Sequence, residues 1–64
     1  MRYIVKPKND FSKQWLKLNV GYDSWQWHEN GLIVGDRSIY ALVGYMIKNG
    51  LIQDRDFEVM HFGG

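Results

Sequence analysis

Residues 25–50, WQWHENGLIVGDRSIYALVGYMIKNG, decide how this chain folds. Asn30-Gly31 between two hydrophobic runs is the pattern of a two-residue type I′ turn, whose central positions both take positive φ. The register this predicts pairs Glu29 with Leu32, His28 with Ile33, Trp27 with Val34 and Gln26 with Gly35. Alternation along the two strands then puts Trp25, Trp27, Leu32 and Val34 on one face, and Gln26, His28 and Ile33 on the other. The face with two tryptophans is the one to bury. After Gly35 the period changes. Ile39, Leu42, Val43, Met46 and Ile47 follow the i, i+3, i+4, i+7, i+8 spacing of one apolar helical stripe, flanked by Tyr40 and Tyr45. Asp36 or Ser38 is the expected N-cap, Gly50 the C′ residue and Leu51 the apolar residue of a Schellman motif near Met46.

Working outward, Phe57–Phe62 reads as a last strand, with Phe57, Val59 and His61 on one face and Glu58, Met60 and Phe62 on the other. Residues 2–6 read as a first strand that ends near Pro7, which has no N–H to donate to a ladder. The segment 9–20 supports two readings. As a helix it is capped by Asn9 or Asp10 and aligns Phe11, Trp15 and Leu18. As a strand, Leu16, Leu18 and Val20 alternate with Lys17 and Asn19, and over residues 15–20 this pattern fits better. The composite is an α+β fold: a small, mostly antiparallel sheet of about four or five short strands, with one main helix (about 37–49) packed on one face. If the strands at 32–35 and 57–62 are parallel, the helix between them makes a right-handed crossover.

Sixty-four residues are one domain's worth, 1–64, and a chain of that size buries a thin core. With 45% hydrophobic and 16% aromatic residues the composition is globular. There are no cysteines, so disulfides are excluded as staples. No apolar run reaches the length of a membrane span, no signal-peptide core follows the N-terminus, and the expected compartment is cytoplasmic.

The chemistry on offer is sparse. His28 and His61 stand alone in strand-like sequence, no serine sits in a nucleophile elbow, and Gly31, Gly35 and Asp36-Arg37-Ser38 lack the spacing and lysine of a phosphate loop. His28-Glu29 with His61 lacks metal-ligand spacing, and neither CxxC nor HxxxH occurs. The expectation is a protein without enzymatic activity, cofactor or metal. Charge is uneven: residues 1–18 carry five basic side chains against Asp10, whereas residues 19–64 carry three against six acidic ones. Lys6, Lys8, Lys13 and Lys17, with Phe11 or Trp15 for stacking, make nucleic-acid binding the alternative function, although a dedicated nucleic-acid domain usually has a pI above 9 and this chain's is about 8.0.

His61-Phe62-Gly63-Gly64 resembles the diglycine end of ubiquitin-like β-grasp carriers, a likeness confined to the last residues and the overall size. It implies a weaker alternative, a carrier modified at Gly64. Those carriers place two strands before the helix and several after it, whereas here most strand sequence precedes it. The main expectation comes from the aromatics. Three tryptophans, four tyrosines and three phenylalanines exceed what a thin core hides, and aromatic residues and methionine are enriched at interfaces. A helix on one face leaves the other sheet face for Trp15, Gln26, His28, Ile33, Met60 and Phe62, with Trp15 as anchor. The expected function is a small regulator or inhibitor that binds a protein partner, or a second copy of itself as a homodimer, through that helix-free face.

Overall fold

The computed structural model describes residues 2–20, 27–28 and 31–62. Its elements are β1 (Arg2–Pro7), α1 (Asp10–Asn19), β2 (Trp27–His28), β3 (Gly31–Gly35), α2 (Asp36–Lys48) and β4 (Phe57–Phe62). The sheet has the order β2-β3-β1-β4, and every neighbouring pair is antiparallel. β3 and β4 therefore run parallel to each other with β1 between them. This β-α-β-β-α-β order is the split β-α-β, or ferredoxin-like, arrangement. The α+β class and the main helix are as the sequence implies. A second helix takes the place of the strand expected at 15–20.

That helix starts because Asn9 caps it: the Asn9 Oδ1 accepts from the Ser12 N–H at 2.9 Å. Its inward residues are Ser12 and Leu16, both fully buried, with Trp15 and Val20 half-buried against the core. The stripe read from the sequence was the wrong one, since Phe11 and Leu18 are exposed. The alternation at 16–20 misleads because Ser12, the residue that seats the helix, is polar and its partner, Asp56, lies 44 positions away.

The hairpin also differs from expectation. Trp27 pairs with Leu32 and His28 with Gly31, so the residues between the paired ends are 29 and 30. The register has moved by two, an even number, and the face assignment of Trp27, Leu32 and Val34 is unchanged. Trp25, Gln26 and Asn30 lie outside the described residues. Gly31 is strand backbone and not the second residue of a turn. It is needed for a different reason: a Cβ there would stand 2.5 Å from Cγ1 and 2.6 Å from Cδ1 of Ile4.

The helices cover one face of the sheet. Val5, Leu32 and Phe57 meet Leu16 of α1, Ile39, Leu42 and Met46 of α2, and Leu51. α2 begins after Gly35 with no side-chain cap, so neither Asp36 nor Ser38 fills that role. Its end is the Schellman motif read from the sequence: Gly50 takes φ +94°, and the Leu51 N–H reaches the Met46 carbonyl at 3.1 Å. Ile47, expected in the core stripe, is about half exposed.

Candidate interaction surface

The sheet's helix-free face is formed by alternate residues. Arg2, Ile4 and Lys6 of β1 stand between Ile33 of β3 and Glu58 and Met60 of β4, with His28 on β2. Ile33 and Met60 thus lie where the sequence placed them, and Phe62 is in register with Arg2. Gln26 is outside the described residues. Trp15 is a correction. It belongs to α1, on the helix side, where its ring stands 5.4 Å from that of Tyr45 on α2. The strand reading put it across the sheet; the helix turns it into a link between the two helices. Without it, the helix-free face is polar in good part, and Ile4, packed over Gly31, is already buried.

Of the four lysines, Lys8 and Lys13 border one cleft together with Pro7, Asn9 and Asp10, and Lys6 and Lys17 lie outside it. Lys6 lies on the sheet, and Lys8 follows β1 and donates through Nζ to the Asp54 carbonyl at 2.8 Å. Lys13 and Lys17 are on α1, each one residue after an inward position (Ser12, Leu16). Phe11 and Trp15 each come one residue before those positions. At 100° per residue the basic and aromatic side chains occupy opposite flanks of the helix, which separates phosphate contact from stacking. His28 and His61 stand on strands at opposite ends of the sheet. His61 shares the helix side with Tyr3, the ring centroids being 4.8 Å apart. Gly63 and Gly64 lie outside the described residues, and the single strand before α1 differs from the two that the carrier resemblance implies.

One polar cluster escaped the sequence. Asp56 is buried, and its carboxylate accepts from Asn9 Nδ2 at 2.8 Å, from the Ile52 N–H at 2.8 Å and from Arg55 Nη2 at 2.8 Å. Its backbone carbonyl accepts from the Lys8 N–H at 2.7 Å and from the Ser12 hydroxyl at 2.6 Å. The hydrogen bond from Arg55, then those from Ile52 and Asn9, hold the Asp56 carboxyl down at about 2. Asp54, at φ +72°, shapes the turn that delivers it. Every buried polar side-chain atom among the described residues has a partner. This cluster joins the β1–α1 junction to the α2–β4 connection.

The unfinished surface is elsewhere. Residues 39–47 of α2, IYALVGYMI, include no charged side chain. Yet Tyr40, Ala41, Gly44, Tyr45 and Ile47 are exposed, Tyr40 to 82%. A helix apolar around its whole circumference normally lies within a core. Tyr40, Val43 and Ile47 each follow an inward residue by one and so share a flank. This flank overhangs β4: a cleft of about 230 Å³ there is lined by Tyr3, Ile39, Tyr40, Val43, Gln53 and Val59.

Beneath that flank the sheet ends at β4. Asp56 turns its carbonyl toward Lys8 at the end of β1, and Phe57 turns its carbonyl the other way, to the Asp54 N–H at 2.7 Å. Because successive residues of a strand alternate in this direction, Glu58 and Met60 bond toward β1, while Val59 and His61 present N–H and C=O outward. No described strand pairs there. Comparison with family models, curated proteins and solved structures returns no match. A ferredoxin-like arrangement does not itself imply a function. The uncharged run at 39–47 was visible in the sequence. The open edge was not, since it depends on β1 lying between β3 and β4.

No helix of the described residues is long and apolar enough to cross a membrane. A second cleft, of about 370 Å³, lies between β3 and the start of α2, with Arg2 and Ser38 as its polar side chains. These supply no acid–base pair.

Proposed function

We propose that this is a protein-binding regulator or inhibitor without catalytic activity, which acts by covering a surface of its partner. The observation that supports this reading is the outer face of α2: two and a half uncharged turns, with two tyrosines and an isoleucine in water. Contiguous apolar patches of this kind mark association sites, and tyrosines give contact area at low entropic cost. The binding surface is then the helix layer around Tyr40 and Ile47, in place of the helix-free sheet face. A photo-reactive amino acid placed at position 40, and separately at position 33 on the sheet face, tests this in the native host. Adducts with protein are expected from position 40. Adducts from position 33 alone would return the interface to the sheet.

A further inference from the structure

We infer that the surface beside Tyr40 is completed by a second copy of this chain, joined antiparallel through β4 so that two four-stranded sheets become one of eight. This rests on the association reading above and names its partner. Residues 57–62 carry few of the usual protections of an exposed edge: Glu58 is their one charged side chain, there is no proline and no lysine, and the pairing with β1 runs without a bulge from Arg2↔Phe62 to Pro7↔Phe57. The first residue of the strand is already occupied on its outer side by Asp54. Five residues, 58–62, remain, and their midpoint is Met60.

A two-fold axis normal to the sheet at Met60 makes that segment its own complement. The residues with outward backbone groups, Val59 and His61, are symmetric about Met60. Val59 of one protomer then lies opposite His61 of its partner, and each such pair exchanges two N–H···O bonds, four in all. Shifting the axis to Val59 or to His61 loses part of this set. Centring on Met60 also keeps Glu58 away from its own copy, because its opposite residue is Phe62. Like charges directly opposite would be unfavourable.

Both faces agree with this register. On the helix-free face, the existing rows Ile33–Ile4 and Ile4–Met60 join through Met60–Met60 into one apolar row across the assembly. On the other face, a normal two-fold keeps both helix layers on the same side and turns the Tyr40, Val43 and Ile47 flanks toward each other over the joined strands. Self-complementarity favours a second copy over an unrelated peptide strand, since a closed isologous pair leaves no β4 edge exposed.

The experiment is the solution mass of the full chain across a concentration series, with circular dichroism as the check of folding. The wild type is expected to approach twice its 7.6 kDa chain mass. His61→Pro removes one outward N–H without touching the β1 ladder, and is expected to be folded and monomeric. Met60→Glu and Met60→Lys, which place like charges on the axis, are each expected to be monomeric, and an equimolar mixture of the two to regain the doubled mass. A wild-type dimer left intact by His61→Pro and by Met60→Glu would overturn the edge pairing. So would a wild-type monomer at every concentration; if position 40 still cross-linked protein, the helix-face reading would stand while the second copy failed.

Discussion

The two ends of β4 show opposite treatments of the same problem. At its start, Asp56 and Phe57 are closed on every side: the Asp56 carboxylate and carbonyl take five donors, and Phe57 is fully buried between the sheet and the helices. From Val59 onward the outward backbone groups have no described partner, and the helix flank above them is apolar. A chain with so thin a core left a strand edge bare a few residues after a cluster in which every buried polar side-chain atom has a partner. The contrast teaches that exposure along β4 is a property of the position and not of a loosely built fold.

The largest effect that can sharpen the contrast is in the closed half. Phe57→Ala should cost roughly 3–5 kcal/mol, transfer and cavity terms together, close to the whole stability of a small domain. Ile47→Ala on the open flank should change monomer stability by less than about 0.5 kcal/mol. Denaturant unfolding at low protein concentration compares the two, and equal losses would erase the distinction. Next comes Gly31→Val, which drives a side chain into Ile4 and should destabilise by about 1–3 kcal/mol through overpacking. An unchanged midpoint there would mean that Ile4 moves aside.

Asp56 supplies a pH test. Its carboxyl sits near 2 in the folded chain, below the ordinary carboxylate value of 3.8. A lowered folded-state pKa means that its contribution is complete above the unfolded value and lost as pH falls from about 4 toward about 2. The wild-type melting temperature should therefore drop across that window, and Asp56→Asn should melt lower at neutral pH and respond less to the acid. The same acid response in both proteins would remove Asp56 from the account. The smallest effect belongs to Gly44, exposed in mid-helix with open space where a Cβ would go. Gly44→Ala should stabilise the monomer by about 1 kcal/mol, measured by thermal melting.

How much of this was legible depended on the range of the contacts. α2 and its Schellman end follow from neighbours within a turn or two and were readable, although the start of α2 lacks the side-chain cap expected at Asp36 or Ser38. The alternation of β4 was ambiguous until its pairing with β1 placed Val59 and His61 on the face of Val5 and Tyr3. Gly50 announces its positive φ, and Leu51 its buried place after it. The face of α1 was not readable, because Ser12 is buried by a hydrogen bond to a carbonyl in another element while Phe11 and Leu18, more apolar, stay in water. Gly31 gave the right residue for the wrong reason: the Asn-Gly pattern suggested a turn, whereas the close approach of Ile4 on the next strand demands the glycine. Trp15, read as part of a strand at 15–20, was placed on the wrong side of the sheet; the helix packs it against the core. The exposed flank at Tyr40 and Ile47 needed only the observation that nine helical residues lack a charge, but the open edge beneath it needed the strand order.

The most direct test of the central claim is amide hydrogen exchange along β4, followed as the protein is concentrated. Glu58 and Met60, which bond to β1, should be protected at all concentrations. Val59 and His61, which point outward, should exchange fast when dilute and become protected as the chain is concentrated, the two rising together. Fast exchange at Val59 and His61 at every concentration, beside protected Glu58 and Met60, would contradict the claim.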